Sequence, residues 1–290
     1  MNARLKHIFK QVLPPFIVDT ARQIRKLIKN EPTALPDLEI VPNDKKLWDI
    51  GWNHESIAAA QLKKWPIFLA SVDGTRPLGW PHETPIDKLL AEPPADLATQ
   101  NTIMSFAYVL GRSAIGKTKL SVLDWGGGIG HYFEYARRLY PEIEFDYTIK
   151  DMPAICRAGS KLHPGITFLS DDATALSQKF ELVMCSSSLH YSRDFYGDLA
   201  QLCEAVSHSL FVTRLPIVEN SEEAVFIQRA QRFGYMTEYP AWIIKRDKFI
   251  SFVEDRGMKL EREFLLGDSL GIKNTVETPK FRGFLFTKKI

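Results

Sequence analysis

A buried apolar run followed at once by glycines in alternate positions constrains this chain more than any other feature. Leu120 to Asp124 reads as a strand enclosed on both faces, and Asp124-Trp125-Gly126-Gly127-Gly128-Ile129-Gly130 turns directly into an amphipathic stretch. Glycine is needed where a backbone must turn tightly and let a ligand approach with no Cβ in the way. A strand, a glycine turn and a helix in that order open a βαβ unit, which binds ligands beyond the carboxyl ends of its strands.

The pattern after residue 118 supports that reading. Short apolar runs at 119–124, 144–150, 166–169, 180–185 and 209–214 alternate with helical stretches at 130–139, 152–162 and 194–207. This alternation predicts an α/β fold with a Rossmann-like, doubly wound, mostly parallel sheet. Two closing strands, at 259–266 and 281–288, bring the expected count to seven. Asp96 is placed to cap a helix over 96–110, and another helix is expected near 54–64. The expected organisation is 1–44 as a basic helix with a Pro-rich linker, 45–115 as a helical cap segment, and 116–290 as the ligand-binding domain. An insertion lies near 218–250.

Two rival nucleotide loops fit less well on spacing or surroundings. A dinucleotide dehydrogenase requires G-x-G-x-x-G. Counted from Gly126 the sixth position is His131, and from Gly128 it is Phe133, neither of them small. Gly111-Arg-Ser-Ala-Ile-Gly116-Lys117-Thr118 matches a P-loop letter for letter, but a P-loop needs a strand before it and a helix after it. Here the order is inverted, and Gly111 reads as a helix C-cap.

Acids recur where the strands end. Asp151 stands where a carboxylate would accept from ribose hydroxyls, or would cap the next helix ahead of Pro153. Asp171-Asp172-Ala173 follows the third strand. After the fourth come Ser186, Ser187, His190 and Tyr191. His190 titrates near neutrality and suits a general base, or else packs within its loop. Arg214 at the end of the fifth strand would bind an acidic group or form a structural ion pair. Trp242 and its neighbours in Tyr239-Pro-Ala-Trp242 either line an acceptor pocket or pack the insertion. Trp48, Trp52, Trp65 and Trp80 face the same two options.

With these residues in view, the chain resembles class I S-adenosylmethionine-dependent methyltransferases. The frame Asp124, Gly126, Gly128, Gly130 is similar to that family's first motif. The resemblance implies that the loop with Gly127 wraps the methionine end of S-adenosyl-L-methionine and that Asp124 orients its amino group. It also implies that Asp151 with Met152 holds the ribose and Asp172, beside Asp171 and Ala173, the adenine amino group. Small Ser186 and Ser187 would let the cofactor pass, and Tyr191, Arg214 and Trp242 would meet the acceptor. Leu123 to Gly130, Ser186 to Tyr191, Thr213-Arg-Leu-Pro216 and Tyr239 to Trp242 look like a narrower bacterial group associated with surface-polysaccharide genes. The expected reaction is methyl transfer to an oxygen, less readily a nitrogen, of a small or glycan-type acceptor; a NAD(P)-dependent oxidoreductase and a non-catalytic methyltransferase-like scaffold stay as alternatives. His190 is a departure there, since Gln is expected.

The remaining features bound the setting. Residues 1–30 carry seven basic residues against Asp19, with apolar positions at helical spacing over 16–29. Such a helix either contacts an anionic membrane surface peripherally or packs on its own domain. Lys10 and Pro14-Pro15 interrupt the apolar run, against a cleaved signal. A net charge of +2 gives no reason to expect nucleic acid as a partner. Three widely spaced cysteines suggest reduced thiols in a cytoplasmic protein, and no set of side chains is spaced to hold a metal.

Overall fold

The computed structural model describes residues 37–49, 51–78, 85, 96–272 and 275–289. The basic helix over 16–29 and Trp80 lie outside the described residues. Among the described residues the strands are β1 (Leu38–Val41), β2 (Lys119–Trp125), β3 (Glu144–Lys150), β4 (Thr167–Leu169), β5 (Phe180–Ser186), β6 (Val206–Val218), β7 (Ala224–Arg229), β8 (Glu238–Lys245), β9 (Met258–Ser269) and β10 (Lys280–Lys288). The helices are α1 (Glu55–Asp73), α2 (Leu97–Ala114), α3 (His131–Leu139), α4 (Pro153–Leu162), α5 (Asp172–Leu176), α6 (Phe195–Ala205) and α7 (Arg246–Glu254).

Seven strands make the frame in the order β4-β3-β2-β5-β6-β10-β9. The first five run parallel, and β10 enters antiparallel to both β6 and β9. Parallel strands covered on both faces must bury alternate residues in opposite directions. Leu120 and Val122 of β2 lie in one core with Phe106 of α2 and Ala136 of α3, whereas Leu123 and Trp125 lie in the other with Leu199 of α6. Leu182 and Met184 against Val183 and Cys185 repeat the division on β5.

The expectation of seven strands needs correcting to ten. β6 runs 13 residues and outlasts β5, whose last partner is Thr213. Beyond that point Ile217 and Val218 pair in parallel with β8, which carries β7 and then β1 antiparallel. The 218–250 insertion is thus a small sheet overhanging the carboxyl end of β5. Residues 38–41, read as linker, form its outer strand.

The segment 45–115 contributes to the main core rather than standing apart from it. Ile57 and Phe68 of α1 and Ile103 and Phe106 of α2 share a core with Val122 and Ile149. Asp96 caps α2, its carboxylate accepting from the Thr99 amide at 2.8 Å. Gly111 is not a C-cap: α2 continues to Ala114, Gly116 takes the left-handed exit at φ 71°, and Gly111 packs on the Tyr140 hydroxyl. A helix before the loop and β2 after it confirm the inverted order that excludes a P-loop.

Candidate functional site

The site gathers at the carboxyl ends of β2, β3 and β5. Leaving β2, the chain takes left-handed φ values of 76° at Gly126, 63° at Gly128 and 109° at Gly130 before α3 begins. A Cβ at Gly126 would lie 2.2 Å from the Ser188 Cβ, and one at Gly127 2.5 Å from the Asp124 carboxyl carbon. Side chains are therefore excluded both by backbone conformation and by what presses on the loop. The Gly126 amide donates to the Lys150 carbonyl at 2.7 Å, fastening the turn to the end of β3.

Asp124 is fully buried under this turn. Its Oδ2 accepts from the Tyr147 hydroxyl at 3.0 Å, and its Oδ1 has no partner. Burial raises its pKa to about 7; the Tyr147 bond opposes the rise and the charge of Asp151 adds to it. Asp151 accepts from the Gly128 amide at 2.8 Å and from the Met152 amide at 2.6 Å. Burial lifts its pKa as well, against those two bonds. The N-cap of α4 is Met152, not Asp151, so the carboxylate secures the glycine turn and the strand end together. A carboxylate has about four lone-pair positions, and two here are occupied.

The next pair of acids divides its work. Asp171 caps α5, accepting from the Thr174 amide and hydroxyl, each at 2.7 Å, which lowers its pKa. Asp172 accepts from the Trp125 indole at 2.8 Å and pairs with Lys150 at 2.6 Å. Lys150 also lies 4.9 Å from the Trp125 ring centre. Ala173 sits exposed in the first turn of α5.

At the end of β5 the Ser186 hydroxyl meets the Tyr132 hydroxyl at 2.6 Å, and the Ser188 hydroxyl donates to the Trp125 carbonyl at 2.7 Å. Ser187 and Arg214 are the two non-glycine residues with positive φ among the described residues, at 52° and 53°. They are linked across the strands, because the Ser187 amide donates to the Thr213 carbonyl at 3.0 Å. Strain at neighbouring strand ends is characteristic of functional sites.

His190 is 1% exposed, and neither ring nitrogen has a partner. Its ring centre lies 4.0 Å from that of Tyr191. Burial, then the nearby Arg214 charge, pushes its pKa down to about 3. The Tyr191 hydroxyl donates to Gln228 at 3.0 Å, and its ring meets Trp52 at 5.0 Å and Tyr239 at 5.1 Å. Trp52 stacks on Tyr239 at 4.3 Å, with its indole nitrogen buried and unpartnered. Residues three apart on a strand point to opposite faces. Trp242 accordingly turns away from Tyr239, stacks on Trp48 at 5.7 Å and donates to the Ser192 carbonyl at 2.9 Å.

The structure therefore brings together Asp124, the glycine turn and Asp151, with Ser186, Ser187, His190 and Tyr191 beside them. It joins Asp172 to Lys150, and it sets Trp242 on another face. Sequence reasoning missed Gln61, Tyr132 and Tyr147, which carry no local signal, whereas Trp52 was among the four tryptophans weighed for a pocket.

Strand order and a glycine turn after the first frame strand define a Rossmann-like, doubly wound α/β fold. No protein-family model matches the chain, and no curated protein matches it. Solved structures do. Magnesium protoporphyrin IX methyltransferase of Synechocystis PCC 6803 is 13% identical, covering 81% of this chain and 97% of that one, with a TM-score of 0.48. An S-adenosylmethionine-dependent methyltransferase of Clostridium acetobutylicum is 12% identical over 70% of this chain and 96% of that one, TM-score 0.44. An O-methyltransferase family protein of Burkholderia thailandensis is 14% identical over 81% and 71%, TM-score 0.42. The fold rests on the strand pairings and the turn.

Proposed function

We propose that this chain is an S-adenosyl-L-methionine-dependent methyltransferase acting on an oxygen of a small or glycan-type acceptor. The observation that carries the reading is the glycine turn, which no side chain can enter, laid over a buried carboxylate with one orphaned oxygen. Buried polar atoms are almost always satisfied, so an orphan beneath the glycine turn favours a bound donor. S-adenosyl-L-methionine would supply a methyl group already activated on a sulfonium. Asp124 would face its amino group, Asp151 its ribose, and Ser186 and Ser187 would border its path. The short side chain of Ala173 leaves room beside the adenine end, where Asp172 stands tied to Lys150.

The remaining task falls to orientation of the acceptor. A neutral imidazole offers one donor and one acceptor, and an indole offers a donor. The unpartnered nitrogens of His190 and Trp52, whose rings both pack on Tyr191, complement a hydroxyl group. With its pKa near 3, His190 orients a hydroxyl and accepts its hydrogen bond without storing the proton at neutral pH. Arg214 supports an acidic group on the acceptor, and Tyr191 one wall of its pocket. Surface-polysaccharide biosynthesis is favoured by the four sequence motifs alone. Cytoplasmic residence accords with three free thiols. Peripheral membrane contact through residues 1–30 rests on their charge pattern; no helix among the described residues is long and apolar enough to cross a membrane.

Calorimetry with S-adenosylhomocysteine tests the proposal. Binding by the wild type, lost on combining Asp124→Ala with Gly128→Val, is expected. Absence of wild-type binding, or binding indifferent to those substitutions, would overturn it.

A further inference from the structure

α1 lies across the glycine turn as a strap. At one end Glu55 pairs with Arg157 of α4, and at the other Asp73 pairs with Arg138 of α3 at 2.6 Å. Between them Trp65 and Phe68 set their rings against His131, with centres at 5.0 and 4.7 Å. Lys64 is buried and donates to the Phe233 carbonyl at 3.0 Å. Two buried polar atoms of α1 are left over, Ser71 Oγ and Gln61 Oε1, and the second borders the glycine turn. Gln61 is 7% exposed, and its Oε1 has no hydrogen-bond partner. That oxygen faces the turn, since a Cβ on Gly128 would lie 3.4 Å from it.

A second unpartnered acceptor borders the same turn. Asp124 Oδ1 is buried beneath Gly127, where a Cβ would stand 3.0 Å away. An amide oxygen and a carboxylate oxygen thus flank two consecutive glycines from α1 and from β2. Two buried acceptors around a cradle that excludes side chains call for a ligand rich in donors. A primary ammonium has three and no acceptor. A carboxylate or phosphate, which only accepts, would face both oxygens unfavourably.

We infer that Gln61 Oε1 is a recognition group for the α-ammonium of an amino-acid-bearing nucleoside. On the function proposed above, on which this inference rests, that nucleoside is S-adenosyl-L-methionine. The strap then does more than cover the turn. It makes binding depend on the amino-acid end of the ligand, because a nucleoside without that end leaves Gln61 and Asp124 unsatisfied.

The test compares two ligands that differ in that end, S-adenosylhomocysteine and 5′-methylthioadenosine, by calorimetry against wild type, Gln61→Leu and Gln61→Glu. Leucine removes the acceptor, and loss of a hydrogen bond to a charged group predicts roughly 10- to 100-fold weaker binding of S-adenosylhomocysteine. Binding of 5′-methylthioadenosine should stay within about threefold of wild type, which also shows that the variant is folded. Glutamate keeps an acceptor and should retain S-adenosylhomocysteine binding. Equal losses for both ligands on Gln61→Leu would overturn the inference, as would undiminished S-adenosylhomocysteine binding. Loss on Gln61→Glu equal to that on Gln61→Leu would do so too, because it would make Gln61 a donor. Failure of wild type to bind S-adenosylhomocysteine would instead refute the proposed function.

Discussion

Replacing Asp124 with asparagine should alter how stability depends on pH. In the folded chain the Asp124 carboxyl titrates at about 7, against an ordinary value of 3.8. The folded state therefore holds the proton more tightly than the unfolded chain does. Protonation contributes stability that is fully present below about pH 4 and lost as pH rises through 7. The whole effect spans roughly three pH units at about 1.4 kcal/mol each, or about 4 kcal/mol. Burial is complete, so solvent screening does not reduce it. Between about pH 5.5 and pH 8 wild type should lose about 2 kcal/mol through this group, and Asp124→Asn should lose none of it. The asparagine can still accept from Tyr147. Its extra buried N–H costs about 1–3 kcal/mol, but equally at both pH values. Urea unfolding of both proteins at both pH values isolates the effect, because the other titrating groups are common to the pair. Parallel pH profiles would refute the reasoning and place Asp124 in contact with water or a cation.

His190 should remain neutral far into acid: its imidazole resonances should show no titration near pH 6.5, and a midpoint there would mean that solvent reaches the ring. Because its folded pKa of about 3 lies below the ordinary 6.5, stability is lost as pH falls between those values. His190→Gln should spare about 2 kcal/mol of that loss by pH 5 in urea unfolding. Gly126→Ala forces a side chain into a left-handed position against Ser188, and should lower stability by about 2 kcal/mol or more. S-adenosylhomocysteine affinity should fall with it, and Ser188→Gly should recover part of both losses; no recovery would mean that the Ser188 contact is unimportant. Ser187→Gly removes backbone strain, so stability should rise by up to about 1 kcal/mol while turnover falls. Higher stability with unchanged turnover would separate the strain from function.

What the sequence revealed was local. β3 spans the predicted 144–150 because apolar Phe145, Tyr147 and Ile149 alternate with polar residues between Pro141 and Asp151. Asp124 and Asp151 were legible because strand ends place acids where ligands bind. Asp172 stands out from Asp171 in sequence only by the Ala173 that follows it, whereas folding brings the Thr174 amide to one and Lys150 and Trp125 to the other. β8 falls within the 218–250 insertion, where Pro240 weakens the strand signal. His190 was judged by its ordinary titration, which complete burial overrides. Gln61 lies some 65 residues before the turn it faces, and no spacing rule spans that distance.

The outermost strand pairing also has a consequence in time. β1 meets β7 across a long stretch of chain, and Arg229 reaches back 190 residues to Glu39. A ribosome adding about 5–20 residues per second needs roughly 10–40 s to make that stretch. During synthesis the seven-strand frame lacks β9 and β10 when β7 emerges, yet β2 to β6 can already close around the glycine turn. The glycine turn with Asp124 and Asp151 thus forms on the nascent chain before Tyr191 and Tyr239 can pack on Trp52. Trp52, synthesised early, must wait for Tyr191 and Tyr239 before its ring has anything to stack on.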